Sequence, residues 1–212
     1  MQTWVIVVAA GAGRRFGAAK QFLALGGERI VDRALRVARR HADGVVVVLP
    51  RGCVWDGPPV DAATEGGPTR SASVRAGLER VPESAEVIVV HDAARPLASD
   101  VLYDAVIAAV AEGADGAVPA VAVADTVKRV RGSRIVATIP RDDLVTVQTP
   151  QAFAAERLRA AHGTEAEGTD DAALVEAAGG VVVVVPGEPA NLKVTDRDDL
   201  ARAEALLAEL QT

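Results

Sequence analysis

The chain has 212 residues, 50% of them hydrophobic and 25% charged, enough for one compact domain with a substantial core. A net charge of −6 argues against a broad basic nucleic-acid surface, and 3% aromatic content argues against base-stacking platforms. One cysteine, Cys53, excludes an internal disulfide and fits a reducing cytoplasm, and no apolar stretch approaches the ~20 residues of a membrane helix.

Val5–Val8 is an unbroken apolar run that reads as a strand buried on both faces, entered too early to leave room for a signal peptide. It runs into Ala9-Ala10-Gly11-Ala12-Gly13, where small residues let the backbone approach another molecule closely. Arg14, Arg15 and Lys20 follow within a few residues. Backbone N–H groups of such a turn cradle phosphate oxygens and nearby cations neutralise them, so the stretch reads as a polyphosphate site. It is not a Rossmann fingerprint, because Gly17 comes one residue too late, and it has no Walker Gly-Lys-Ser/Thr. A purely structural strand-to-helix turn would use the same glycines.

Ile30–Arg40 has the apolar spacing of a helix, and Val45–Leu49 is a second buried strand. Gly52–Pro68 reads as loop, and Arg70–Leu78 as a helix beginning near Ser71. Val87–Val90 is a third strand, ending in His91-Asp92. Ligands of an open α/β sheet bind beyond the carboxyl ends of the strands, which makes Asp92 a candidate ligand of substrate or metal and equally a turn cap. His91 could be a base or could simply be hydrogen-bonded. Ser99 caps a helix through Glu112, and Ala117–Val123 is a further strand.

The βα rhythm then breaks. Asp125–Val130 and Arg134–Ile139 read as a hairpin joined at Gly132, forming an arm over about residues 124–147 whose exposed edge invites a partner. Val145–Pro150 leads into a predicted helix around Ala152–Ala161. Thr169-Asp170-Asp171 reads as an N-cap with acidic first-turn residues, opening a helix that stops at Gly179-Gly180. Val181–Val185 reads as another buried strand. Thr195 and Asp198 suggest a capping box for a last helix with Leu200, Ala203, Leu207 and Leu210 on one face. The expected fold is therefore α/β, a single-domain, mostly parallel Rossmann-like sheet flanked by helices, with a projecting β-hairpin arm.

The loop Ala9-Ala10-Gly11-x-Gly13-x-Arg15 followed by Lys20 resembles the signature of sugar-phosphate nucleotidyltransferases. With His91-Asp92-Ala93-Ala94-Arg95-Pro96, Asp125-Thr126-Val127-Lys128, Gln148-Thr149-Pro150-Gln151, Thr169-Asp170-Asp171 and Asn191-Leu192-Lys193-Val194-Thr195 in this order, the chain resembles the 2-C-methyl-D-erythritol 4-phosphate cytidylyltransferase family along nearly its whole length. That resemblance implies transfer of CMP from CTP to methylerythritol phosphate, with Mg²⁺ or another divalent cation, in a cytoplasmic homodimer with shared active sites and no nucleic-acid or membrane partner. It implies catalytic roles for Arg15, Lys20 and Lys193, and nucleotide binding by Ala9, Ala10, Gly11, Ala12, Gly13, Gly67 and Ser73. It places Asp92 near substrate hydroxyls and metal, and Arg95, Thr126, Arg141 and Thr149 on the acceptor, the last three from the neighbouring subunit. Two residues depart from the family pattern: Ala19 stands where a proline usually precedes the loop lysine, and Ala72 where an aspartate often precedes the serine. Transfer to another polyol phosphate such as ribitol 5-phosphate, a non-catalytic nucleotide-binding module, and a glycosyltransferase are the alternatives, the last lacking its D-x-D motif.

Overall fold

A computed structural model describes residues 1–11, 13, 16, 19–163 and 166–210, the last without its side chain. In chain order the strands and helices are β1 (Thr3–Val8), β2 (Ala24–Leu25), β3 (Glu28–Arg29), α1 (Ile30–Ala38), β4 (Gly44–Leu49), β5 (Ala62–Glu65), α2 (Arg70–Leu78) and β6 (Val87–Asp92). They continue with α3 (Asp100–Ala111), β7 (Gly116–Ala122), β8 (Val127–Arg131), β9 (Arg134–Ile139), β10 (Val145–Val147), β11 (Gln151–Ala154), α4 (Ala155–His162), α5 (Asp171–Ala177), β12 (Val182–Pro186) and α6 (Arg197–Leu210).

The apolar runs became the middle of the sheet because both of their faces are covered. β1 pairs in parallel with β4 and β6, and β4 with β5. Val5, Val7, Val45, Val47, Val87 and Val89 point to one side, where α1 and α3 bury them with Leu35, Leu102, Tyr103 and Val106. Ile6, Val46, Val48, Ile88 and Val90 point to the other, under α2, α4 and α5 with Val74, Leu158 and Leu174. Alternation of period 2 with no polar face is the mark of a sheet between two helix layers. α6 closes a third, smaller cluster through Ala203 and Leu207 against Leu25, Ile30, Leu97 and Val194.

Several expectations are corrected. Gly52–Pro68 is not all loop: Ala62–Glu65 is an edge strand parallel to β4, hidden from the sequence because its alternate residues are exposed and Ala-Ala-Thr-Glu has little β preference. The predicted helix around Ala152 starts only at Ala155. Gln151–Ala154 is a strand inserted antiparallel between β6 and β7. Its two central side chains go to opposite faces, Ala152 to the α1/α3 side and Phe153 to the α2/α4 side, which a strand permits and an amphipathic helix does not. Phe153 fits because Gly116 lies opposite it; a Cβ there would stand 2.5 Å from the ring. Gly116→Ala should accordingly cost about 1–3 kcal/mol by overpacking, read as a lowered denaturant midpoint at unchanged m-value.

The strand expected at 181–185 is present and pairs in parallel with β7, but it is an edge and not buried, with Val181 and Val184 exposed. The cap of α6 is shifted by one residue: Asp199 N donates to Asp196 Oδ1 at 2.9 Å, and Asp199 Oδ2 accepts from the backbone of Thr195 and Asp196. Thr195 joins by its hydroxyl, and Asp198 is not the partner. A short β2–β3 hairpin before α1 was not expected.

β8 and β9 form a separate two-stranded sheet turning at Gly132, with Val130 and Ile135 each 60% exposed. β10 and β11 both run antiparallel to β7, but the register moves by two residues between Val147↔Ala120 and Ala152↔Ala117. The segment 148–150 bulges as a result, at the carboxyl end of β6.

Candidate active site

Three parallel strand ends, β1, β4 and β6, open onto a cleft of about 900 Å³. Ala9 leaves β1 with its N–H still on Val48 O at 2.8 Å, and the chain then turns through Gly11 and Gly13, the latter at φ 60°. Gln21, buried and unsuspected from sequence, braces this turn: its Nε2 donates to Ala9 O at 2.7 Å and Gly11 O at 3.1 Å. Ala9, Ala10, Gly11, Gly13, Lys20, Gly67, Ser73, Asp92 and Lys193 all line the cleft. Ala12 and Arg15 lie outside the described residues. Gly66 is required by close approach, since a Cβ would come within 2.3 Å of Ala10 Cβ and push α2 away from the glycine turn. Ser73 Oγ donates to Thr69 O at 2.8 Å, and Thr69 caps α2 by accepting from Ala72 N.

A second cavity of about 180 Å³ adjoins the first, lined by Arg95, Gln148, Thr149, Gln151, Thr169 and Asp170. Arg70, Asp92 and Lys193 line both and form the wall between them. Asp92 Oδ2 accepts from Lys193 Nζ at 2.6 Å and Oδ1 from Arg70 Nε at 3.1 Å. Burial by itself would raise the Asp92 carboxyl, but Arg70 and Lys193 together hold it well below the usual carboxylate range. Arg70 is fixed from behind, its Nη1 on Asp171 Oδ2 at 2.7 Å, and the other oxygen of Asp171 faces buried His162 at 3.0 Å. Asp171 is thus structural, as its place in a helix start suggested, and Asp170 is the N-cap of α5. A buried carboxylate with two cationic donors, facing two cavities, is arranged to hold charge between two bound anions.

Arg95 enters the second cavity with Nη1 on Asn191 O at 2.7 Å. Asn191, wholly buried, donates to Gln148 Oε1 and Thr149 O at 3.1 and 3.0 Å, and Gln148 grips both backbone groups of Glu188. These amides pin the loop carrying Lys193 to the bulge before β11. Thr149 departs from the expectation that it reaches across from a neighbouring subunit: it is buried in its own chain, accepting from Asp92 N at 3.0 Å. Thr126 and Arg141 do not join the site; they are exposed beside the arm, where Arg141 donates to Ala124 O. Arg70 and Gln21 carried no signal of their own in the sequence, and Gln148 and Asn191 stood out only as members of motifs, because the partners that give Arg70, Gln148 and Asn191 their roles lie far along the chain.

Among the described residues Asp92 is the one carboxylate lining the larger cleft, and no cluster of three or more His, Cys, Asp or Glu could hold a metal ion. That donor set does not suit a resident metal cage. It does suit Mg²⁺ arriving with nucleotide phosphates, which needs one or two carboxylates and keeps its waters.

A glycine turn, two lysines and one shared carboxylate at the carboxyl ends of parallel strands define an α/β protein whose cleft is of the kind that takes a phosphorylated ligand, with a second cavity adjoining it. The chain belongs to the 2-C-methyl-D-erythritol 4-phosphate cytidylyltransferase family, whose model matches residues 3–209. It is 44% identical over 214 residues to the bifunctional enzyme IspD/IspF of Granulibacter bethesdensis, covering 96% of this chain and 56% of that protein. It is also 44% identical over 230 residues to the 2-C-methyl-D-erythritol 4-phosphate cytidylyltransferase of Streptomyces coelicolor, covering 98% and 85%. The chain therefore spans about half the length of the bifunctional relatives it matches and most of the monofunctional one. The crystal structure of the Thermus thermophilus cytidylyltransferase superposes with a TM-score of 0.84 at 39% identity, covering 98% of this chain and all of the other.

Proposed function

We propose that this chain transfers CMP from CTP to 2-C-methyl-D-erythritol 4-phosphate, releasing pyrophosphate, as a step of non-mevalonate isoprenoid synthesis. The observation that carries the reading is the wall Arg70–Asp92–Lys193, common to a large cleft behind a glycine turn and a smaller cavity beside it. The cleft suits a nucleoside triphosphate, with the base toward Gly67 and Ser73 and the phosphates at Gly11, Gly13 and Lys20. The smaller cavity, with Arg95 and Thr149, suits the acceptor.

The nucleophile is a phosphate oxygen, largely ionised at neutral pH, so no general base is needed. What opposes reaction is the approach of two anions and the charge growing on pyrophosphate. Lys193 stands on the boundary where both phosphates meet, and Lys20 at the turn where the triphosphate lies. Fixed cations there act by position and by charge, without reorganising as the reaction proceeds. Mg²⁺ bound with the nucleotide would be held by Asp92 and would neutralise phosphate charge. The arm over residues 124–147, which leaves Val130, Ile135, Val136, Val145 and Val147 exposed among its charged residues, suits docking on a second copy, which brings Thr126 and Arg141 to that copy's acceptor cavity.

Incubation with CTP, Mg²⁺ and methylerythritol phosphate should give the pair of coupled doublets of a diphosphate diester, together with free pyrophosphate, by phosphorus NMR. Turnover with ATP or UTP as fast as with CTP would contradict the cytosine assignment, and faster turnover on ribitol 5-phosphate would contradict the acceptor.

A further inference from the structure

His91 is wholly buried, touches neither cavity, and has no place in the chemistry above. Its hydrogen bonds nevertheless determine every proton around it. Nε2 lies 3.2 Å from Arg95 O, and a carbonyl can only accept, so Nε2 carries a hydrogen. Among the described residues no carboxylate bonds the ring, and Asp92 next to it is already occupied by Arg70 and Lys193; a wholly buried imidazolium without a bonded anion is costly, so the ring is neutral. Nδ1 is then a bare lone pair, 3.2 Å from Thr149 Oγ1. Thr149 must donate to it. Thr149 Oγ1 also accepts from Asp92 N at 3.0 Å. One lone pair is all that this hydroxyl has left for the cavity.

We propose that His91 is a positioning residue of the acceptor cavity: protonated at Nε2 alone, it takes the Thr149 proton, so that Thr149 meets the acceptor solely as a hydrogen-bond acceptor. A phosphate oxygen brings no proton and is repelled there; a hydroxyl group is accepted. The acceptor is thereby oriented, its hydroxyl-bearing end toward Thr149 and its phosphate toward Lys193 and Arg95. The same ring ties the bulge at Thr149 to the turn from Asp92 to Arg95, so that residues from β6 and from the β10–β11 junction keep one spacing. This assignment of the acceptor's ends rests on the transferase reading; the proton assignment does not.

Two measurements test it. In ¹⁵N-labelled protein near neutral pH, two-bond ¹H–¹⁵N spectra resolve the tautomer of each of the three histidines, with His91 assigned through its Cα and Cβ shifts. The Nε2–H pattern is expected; an Nδ1–H or imidazolium pattern overturns the proposal, with or without turnover. The second compares His91→Asn, whose Oδ1 stands in for Nδ1 and can still accept from Thr149, with His91→Gln, whose Nε2 can still donate to Arg95 O. His91→Asn should hold the acceptor KM within about threefold of wild type and His91→Gln should raise it roughly tenfold, with the CTP KM unchanged in both, the scale of one misdirected hydrogen bond. Equal acceptor KM values, or His91→Asn the worse, overturn the proposal. If neither variant folds, the wild-type spectrum decides. If wild type shows the Nε2–H pattern but transfers no CMP, the transferase reading fails while the proton assignment stands.

Discussion

Lys193→Arg is expected to lower turnover roughly 10²-fold, about 2.7 kcal/mol of transition-state stabilisation. Charge is retained, so the loss isolates shape. Lys193 Nζ already sits 2.6 Å from Asp92 Oδ2, while the other oxygen holds Arg70. A second guanidinium at this carboxylate would settle into a forked pair with it and stay there. An ammonium has three donors around a point and can turn from Asp92 to phosphate oxygens on either side of the wall. Lys20→Arg should cost a comparable factor at the glycine turn, where a planar fork fits less well than a compact ammonium between closely spaced phosphate oxygens. Lysine is rare enough here to make the comparison pointed: of 23 basic residues only Lys20, Lys128 and Lys193 are lysine. Lys128 supplies the control, since it is exposed on the arm with Nζ on Thr138 Oγ1 at 2.7 Å, and Lys128→Arg should change kcat little. Steady-state kcat for the three purified variants, with matching circular dichroism, checks the set. Equal rates would show that the two cleft lysines have no requirement beyond charge.

Arg141→Ala and Lys20→Ala should each abolish most activity alone and recover it together. Arg141 and Thr126 lie beside the arm, away from both cavities of their own chain. Within a two-fold dimer whose arms are exchanged, a mixed pair has one site with Lys20 from one chain and Arg141 from the other, both intact, and one site with neither. An equal mixture, reassorted at random, should reach roughly a quarter of wild-type activity by that count. Subunit exchange is followed by native mass spectrometry of differently tagged chains. Verified mixed dimers without recovered activity would show that each chain completes its own site. The cross-strand pair Val130 and Ile135, exposed on the hairpin, motivates the exchange, because a two-stranded sheet is marginal alone in water.

The central strands were legible because β1, β4 and β6 are buried on both faces, and burial on both faces leaves a run of valines and isoleucines with no polar alternation to confuse it. That the glycine turn and Asp92 line one cleft was legible for a related reason: both stand directly at the carboxyl ends of these apolar runs, where an open α/β sheet has its crevice. Edges were less legible. β5 and β12 are half-exposed, and β11 was mistaken for part of a helix because four residues do not distinguish the two periods.

The sequence by itself determined the α/β class, the chain order of its central strands and helices, and the family to which the chain is similar. Those properties reside in short segments, where local composition and spacing carry the physics. Only the tertiary structure decided which side of the sheet each helix covers, that β11 inserts antiparallel beside β6, that Thr149 belongs to its own chain's site, and that Arg70 and Lys193 share Asp92. Each of these joins residues far apart along the chain: Asp92 meets Thr149 57 positions away and Lys193 101 positions away. A hydrogen bond over that separation is decided by how the whole sheet twists and packs. No window of local sequence encodes it.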